Sequence, residues 1–475
     1  MSCSATAPAE FHRDDGPGWP KDVGIVAMEI YFPSQYVEES ELERYDGVPV
    51  GKYTADLEQC GVGFISDRED VHSMGLTVLQ RLVERQRIPY TEIGCLEVGT
   101  ATLLDQIKSV KSVLMQLFED SGNTDVEGVD ATHSCVGGTA ALVNAVNWVE
   151  SSAWDGRYAV VVTTDVASYA SRTRSTGSAG AVAMLIGPNA ALVLDRGVRS
   201  YHIEHNYDFF KPDLASWYPV VDTKLEKECS CRALDRCYQT YRSKAGKAGI
   251  LEGTSLLDMA DAFILPKPCV KSVRKTFARV FLNDFLTDPD PDFTNRYAGL
   301  EAFREVKLEE TYQDRELQAT FMAASQSLFE TKTQSSTLLI QQVGYLYTPT
   351  LFNSLASYVA SNTVDDLAGK RVVMFIFGAG AAGALFSLRV AKDASPGSTL
   401  QRLVSDLSDL RQRLDARQKA APEEFDKWVK LREQTQNTAP YTPTGSVDVL
   451  LPGTWYLTGV DSSRRRTYKR KPLSS

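Results

Sequence analysis

No apolar stretch of 18 residues occurs anywhere in this 475-residue sequence, so no membrane-spanning helix is expected. Positive charge is in deficit. Lys and Arg number 51 against 61 Asp and Glu, and the resulting −10 argues against non-specific nucleic-acid binding. An anionic ligand would need a local basic patch against that background. Cysteine is sparse, with eight residues scattered along the chain, which suits a reducing cytoplasm. Cys229, Cys231 and Cys237 lie close together, but no histidine stands at ligand spacing and Cys237 falls in a helix-like run. No metal site is therefore expected. Residues 1–18 form a polar tail without the apolar core of a secretory signal. They carry Glu10, Asp14 and Asp15 and little basic charge, which disfavours a mitochondrial presequence as well.

What the chain does have is length, 43% hydrophobic residues and an alternation of strand-like and helix-like runs, enough for a large core and more than one domain. Residues 23–30, 95–100, 158–163 and 181–186 read as strands, and 77–87, 107–119 and 139–151 as helices. A second set reads as strands at 261–265, 337–341 and 371–377 and helices at 270–285, 308–328 and 381–390. This is the α/β pattern of buried sheets covered by helices. A boundary is expected near 195–201. Residues 400–418 read as a charged amphipathic helix and 419–445 as a polar excursion. Arg464, Arg465, Arg466, Lys469, Arg470 and Lys471 read as a solvated basic cluster.

Cys135 lies in Ala131-Thr132-His133-Ser134-Cys135-Val136-Gly137-Gly138-Thr139, ahead of an apolar helix-forming run. A thiol at a helix N-terminus meets free N–H groups and the positive end of the dipole, which favour thiolate and a pKa below the usual 8.5 or so. Small neighbours let a thioester approach the backbone. A nucleophile and a packed core cysteine both fit this pattern. His133, two residues earlier, would share a face with Cys135 on a strand and could serve as a base; a hydrogen-bonded structural histidine is the alternative.

Phe375-Ile376-Phe377-Gly378-Ala379-Gly380-Ala381-Ala382-Gly383 has the form of a dinucleotide fingerprint. The fingerprint needs an acidic residue about 20 positions on, at the end of a second strand. Asp393 comes too early, so a glycine loop lining the active site is the expected role and no NAD or FAD site is expected.

Long stretches carry a family resemblance. They include Trp19-Pro20-Lys21-Asp22, Tyr31-Phe32-Pro33-Ser34, Ser121-Gly122-Asn123-Thr124-Asp125, Trp154-Asp155-Gly156-Arg157-Tyr158, Ala233-Leu234-Asp235-Arg236-Cys237-Tyr238 and Gly453-Thr454-Trp455-Tyr456-Leu457. From about residue 19 to 472 the chain resembles hydroxymethylglutaryl-CoA synthases of the thiolase superfamily. The resemblance implies a thiolase-like fold, two similar halves (19–195 and 196–472) in a layered αβαβα arrangement. It also implies a homodimer joined through a sheet edge at residues 160–164, and a CoA thioester as substrate with no further cofactor. In such enzymes a cysteine accepts acetyl from acetyl-CoA, a glutamate moves protons, and a histidine and an asparagine hold acetoacetyl-CoA.

Residue by residue, the resemblance is uneven. Cys135 matches the acyl acceptor. Asp165 and Tyr169, and His205 and Asp208 of the His-X-Tyr-Asp run, match pocket positions. Lys271 and Lys275 match positions that face CoA phosphates; a solvated basic helix face is the other reading. Ala101 stands in place of the glutamate, in Val98-Gly99-Thr100-Ala101-Thr102. Pro266 stands in place of the histidine that precedes Ser-Pro, Tyr345 in place of the asparagine, and Ala379 in place of a serine. Between Tyr169 and Thr176 the chain is one residue shorter and an asparagine is missing. One placed acid or base contributes roughly 10²–10⁴ in rate and one oxyanion donor roughly 10²–10³. Losing several together is expected to leave little condensation, and restoring Ala101→Glu alone should not bring it back.

Three functions follow from this pattern. The first is an enzyme repurposed to bind, transfer or cyclise an acyl or polyketide thioester in a specialised-metabolite pathway. The second is a non-catalytic binding or scaffold protein. The third is an ordinary hydroxymethylglutaryl-CoA synthase whose lost groups are replaced by others.

Overall fold

The computed structural model describes residues 20–213, 215–251 and 255–473. The polar tail at 1–18 lies outside the described residues. Strand Tyr158–Val166 shows how the layers arise: Ala159 and Val161 enter one core, and Val160 and Val162 enter another. Side chains on a strand alternate between faces, so a strand that is apolar throughout must be covered twice. Strand Arg371–Gly378 repeats the pattern in the second half. Val372, Met374 and Ile376 join the first of those cores, while Val373, Phe375 and Phe377 join a third.

Three helical layers fill these cores. Helix Val71–Gln86 covers the outer face of the N-terminal strands. Helices Gly137–Val149 and Thr350–Ala360 lie in the shared central core. Helices Thr223–Lys247 and Val270–Thr287 cover the outer face of the C-terminal strands. The expected αβαβα order is therefore present. The two halves also join edge to edge. Strand Leu192–Leu194 pairs with Gly24–Tyr31 on one side and with Ala382–Val390 on the other, completing one mixed ten-stranded sheet.

Several expectations are corrected. Residues 381–390 form a strand, Ala382–Val390, and not a helix. Its alanine content suits a helix, but the run is buried on both faces and pairs along its length with Arg371–Gly378. Pairing and burial override a weak intrinsic preference. Residues 337–341 lie in a helical segment ending in Leu338–Val343, since a short apolar run reads equally well as either element. The helix expected over 308–328 breaks into Arg315–Ala324 and Gln326–Lys332. The polar excursion contains helix Pro422–Thr435, whose Phe425 and Trp428 pack on Val37, Leu42 and Phe64. Residues 160–164 are interior to the sheet, flanked by Ile93–Gly99 and Ala179–Gly187, and supply no edge. The edge on that side is Asp130–Ala131. In the basic cluster, Arg466 and Arg470 pair with Asp70 and Glu84, while Arg464 and Arg465 are exposed.

Candidate active site

Cys135 sits where strand Asp130–Ala131 gives way to a 3-10 turn, Ser134–Val136, and then to helix Gly137–Val149. The strand-to-helix placement matches the sequence reading. The electrostatic expectation does not. Cys135 is 7% exposed, and burial pushes its thiol up to about 11, against hydrogen bonds from Tyr345 and Ser134 and the nearby charge of Lys267. Desolvation of the thiolate outweighs the helix terminus. The Tyr345 hydroxyl donates to Sγ at 3.4 Å.

His133 is corrected as well. The strand ends at Ala131, and His133 stands exposed on the turn, away from the cavity lining, so it shares no strand face with Cys135.

The glycine motif is a β-hairpin turn between Arg371–Gly378 and Ala382–Val390. Gly380 (φ 77°) and Ala381 (φ 55°) take left-handed conformations there, and no helix follows. A dinucleotide cradle, which needs a helix N-terminus at that point, is thereby excluded. Asp208 fixes the turn, accepting from the N–H groups of Gly380 and Ala381 at 2.9 and 3.2 Å. The turn in turn braces the segment that carries Cys135: the Ala379 N–H donates to Ser134 Oγ at 3.0 Å. A Cβ on Gly378 would lie 3.0 Å from the Cys135 nitrogen.

Cys135 opens into a cavity of about 730 Å³. Tyr169, Phe209, Tyr345 and Tyr347 line it around the sulfur, with Tyr347 edge-on to the other three rings. Lys227, Lys267 and Lys275 give another part of the lining a positive charge. Burial lowers the Lys275 ammonium from its ordinary value.

Two family models account for almost the whole chain: hydroxymethylglutaryl-coenzyme A synthase N terminal over residues 19–191 and C terminal over 192–471. The chain belongs to the hydroxymethylglutaryl-CoA synthase family. It is 54% identical over 461 residues to the cytoplasmic hydroxymethylglutaryl-CoA synthase of Mus musculus, covering 96% of this chain and 89% of that one. It is 49% identical over 474 residues to the mitochondrial enzyme of Rattus norvegicus, covering 99% and 93%. Among solved structures, MvaS in complex with 3-hydroxy-3-methylglutaryl coenzyme A superimposes with a TM-score of 0.80 at 27% identity, covering 94% of this chain and 99% of that one. The HMG synthase of the curacin biosynthetic pathway matches with a TM-score of 0.75 over the same shares, but at 18% identity it shares the fold alone.

The four positions that the sequence reading takes as departures from the family divide by location. Ala101, Tyr345 and Ala379 line the cavity. Pro266 is buried and absent from the lining, and it brings no polar side chain to the cavity. Asp165 is fully buried beneath the surface of the cavity. It accepts from the Ala101 N–H at 2.7 Å, from Thr102 Oγ1 at 2.8 Å and from Thr348, tying the loop after strand Ile93–Gly99 to the segment before helix Thr350–Ala360. Burial raises its carboxyl to about 6, opposed by the Thr348 hydrogen bonds. Its position fits a structural anchor. His205 is exposed, stacks edge-on with Tyr207 and stays outside the lining. Lys271 is likewise outside, held by Asp56, whose carboxyl is pulled down to about 2 chiefly by that contact. Lys275 does reach the cavity.

Sequence reasoning passed over several cavity residues, Glu226 and Lys267 among them. Glu226 lies in the first turn of helix Thr223–Lys247, inside a charged run that reads as a solvated face. Lys267 adjoins Pro266 in a short run between two prolines, where a single lysine gives no signal of a cavity.

Proposed function

We propose that the protein acts on CoA thioesters by the route of its family. Cys135 accepts the acetyl group of acetyl-CoA, and the cavity joins it to acetoacetyl-CoA. In the first step the acetyl–sulfur bond to CoA breaks, the bond to Sγ forms, and the thiol proton leaves with CoA. One observation carries the reading: the acceptor cysteine stands on a braced turn at a large cavity in a chain 54% identical to a cytoplasmic synthase across 96% of its length. That identity favours the ordinary synthase over the repurposed polyketide enzyme, since the curacin-pathway relative is similar in fold alone. Incubation with acetyl-CoA and then acetoacetyl-CoA tests it. Intact mass should show one acetyl group on Cys135, absent in Cys135→Ser, and a hydroxymethylglutaryl-CoA product should follow. An unmodified mass with every acyl donor removes the reading.

A second reading is a binding paralogue without turnover. Ala101 and Pro266 in place of two polar groups favour it, and an adduct that forms but never discharges would support it. The main reading also includes a cytoplasmic location, supported by the higher identity to the cytoplasmic relatives and checked by cell fractionation. It includes a homodimer as well, supported by the Asp130–Ala131 edge beside the nucleophile turn and the 57% exposure of Val129 next to it. Light scattering at micromolar concentration checks that state.

A further inference from the structure

Six carboxyl side chains line the cavity, and five are already engaged. Asp67 accepts from Tyr441, Thr444 and the Gly445 N–H. Glu69 accepts from Tyr31. Asp70 caps helix Val71–Gln86 and binds Arg466 and Tyr468. Asp105 accepts from the N–H groups of Ile107 and Lys108, and Asp208 from those of Gly380 and Ala381. Glu226 is different. Among the described residues its one ion-pair partner is Lys267, at a loose 3.7 Å. A general base needs a lone pair free to take a proton. Asp208 Oδ2 is unpartnered too, but Asp208 is fully buried and its other oxygen is held by the hairpin turn, whereas Glu226 is part-exposed on the lining and only loosely paired.

Glu226 lines the same cavity as Cys135, and its charge reaches the tyrosines beside the thiol. Burial, the Cys135 sulfur and the charge of Glu226 together hold the Tyr345 phenol well above 10, and Glu226 acts on Tyr169 in the same direction. Tyr345 is the residue in hydrogen-bond contact with Sγ. Lys267 is held on the same wall. Its ammonium donates to Ser230 Oγ at 2.5 Å and lies 5.1 Å above the Phe377 ring, and its side chain is 14% exposed. Its charge is felt at the Cys135 sulfur.

We infer that the glutamate and the histidine that the resemblance expects at positions 101 and 266 are replaced from other elements: Glu226 moves the proton in condensation and Lys267 holds the thioester oxygen of the second substrate. The inference rests on the function proposed above. The Glu226 carboxylate takes a proton from the methyl carbon of acetyl-Cys135. The resulting carbanion forms a carbon–carbon bond to the ketone of acetoacetyl-CoA, and the new alkoxide takes the proton back from Glu226. Water then cleaves the Sγ–acyl bond, returning the thiol and releasing the acid. Lys267 stabilises negative charge as it develops on the bound thioester and remains protonated throughout.

The test separates acetylation from discharge in the full-length protein, following the mass of acetyl-Cys135 before and after acetoacetyl-CoA is added. Glu226→Gln should acetylate within about threefold of the parent rate yet discharge roughly 10²–10⁴-fold more slowly, with Glu226→Asp between the two. Lys267→Gln should raise the acetoacetyl-CoA concentration needed for half-maximal discharge, an effect separate from any slowing of acetylation by loss of its charge near the sulfur. Thermal unfolding of each variant confirms the fold. The inference is overturned if Glu226→Gln discharges at the parent rate, if it loses both steps equally, or if the parent acetylates and never discharges. A parent that takes no acetyl group removes the proposed function, and the Glu226 role with it.

Discussion

At neutral pH the Cys135 thiol, pushed up to about 11 chiefly by burial, keeps its proton in the free protein. Its alkylation by iodoacetamide should be slow near neutrality and climb about tenfold per pH unit between about pH 8 and 10, as the thiolate fraction grows. Tyr345 opposes the burial, so Tyr345→Phe should slow acetylation roughly fivefold, the equivalent of one hydrogen bond of about 1 kcal/mol. Mass spectrometry of timed samples reads both rates. Glu39 makes a second residue-scale prediction. It is fully buried, both carboxylate oxygens lack partners, and burial, then Glu43 and Asp46, raise its pKa from 4.5 to about 9. The folded chain therefore holds a proton that the unfolded chain has released above pH 4.5. Stability from this group is present at low pH and is lost as pH rises toward 9. Glu39→Gln removes that dependence, so its stability advantage over the parent should widen with pH by up to about 1.4 kcal/mol per unit across that window, read from urea unfolding.

The site is assembled where elements meet with no room between their backbones. At the end of strand Ile93–Gly99, a Cβ on Gly99 would lie 2.7 Å from the Gly138 Cα, in the first turn of the nucleophile helix. Neither partner is a flexible side chain, so the strand or the helix must shift. Gly99→Ala should cost about 1–3 kcal/mol of stability and misplace the turn that holds Cys135, so that acetylation falls together with melting temperature. The hairpin 371–390 illustrates the limit of element-scale reading. Phe375 to Gly383 contains a strand, a glycine turn and an alanine-rich run, and each local signal is compatible with either a helix or a strand to follow. The antiparallel ladder to Arg371–Gly378 and cores on both faces decide for the strand.

At the scale of the whole molecule, the two halves are not separable units. Leu192–Leu194 bonds to strands of both, and helices Gly137–Val149 and Thr350–Ala360 bury one central core that strands of both halves cover. Cutting the chain near the boundary at 195 would expose that core on either fragment. Scanning calorimetry of the intact protein should therefore show one cooperative transition, and residues 1–195 expressed alone should give no cooperative melt. Two resolved transitions would contradict this.

The sequence by itself determined the family and the layered architecture. Long matching stretches extend from residue 19 to 472, and the layered arrangement came with the resemblance they carry. The sequence also placed Cys135 correctly at a strand-to-helix turn, since the run from 139 onward reads as a helix. Tertiary structure alone decided the chemistry around the thiol. The protonation of Cys135 depends on burial by a hairpin some 240 residues away, which no local pattern encodes. The removal of His133 from the site followed from where a short strand ended. Glu226 and Lys267 sit on separate elements, and each read alone is a surface charge; only the fold brings both onto the lining of the Cys135 cavity, because a cavity is a property of packed elements and not of any one of them.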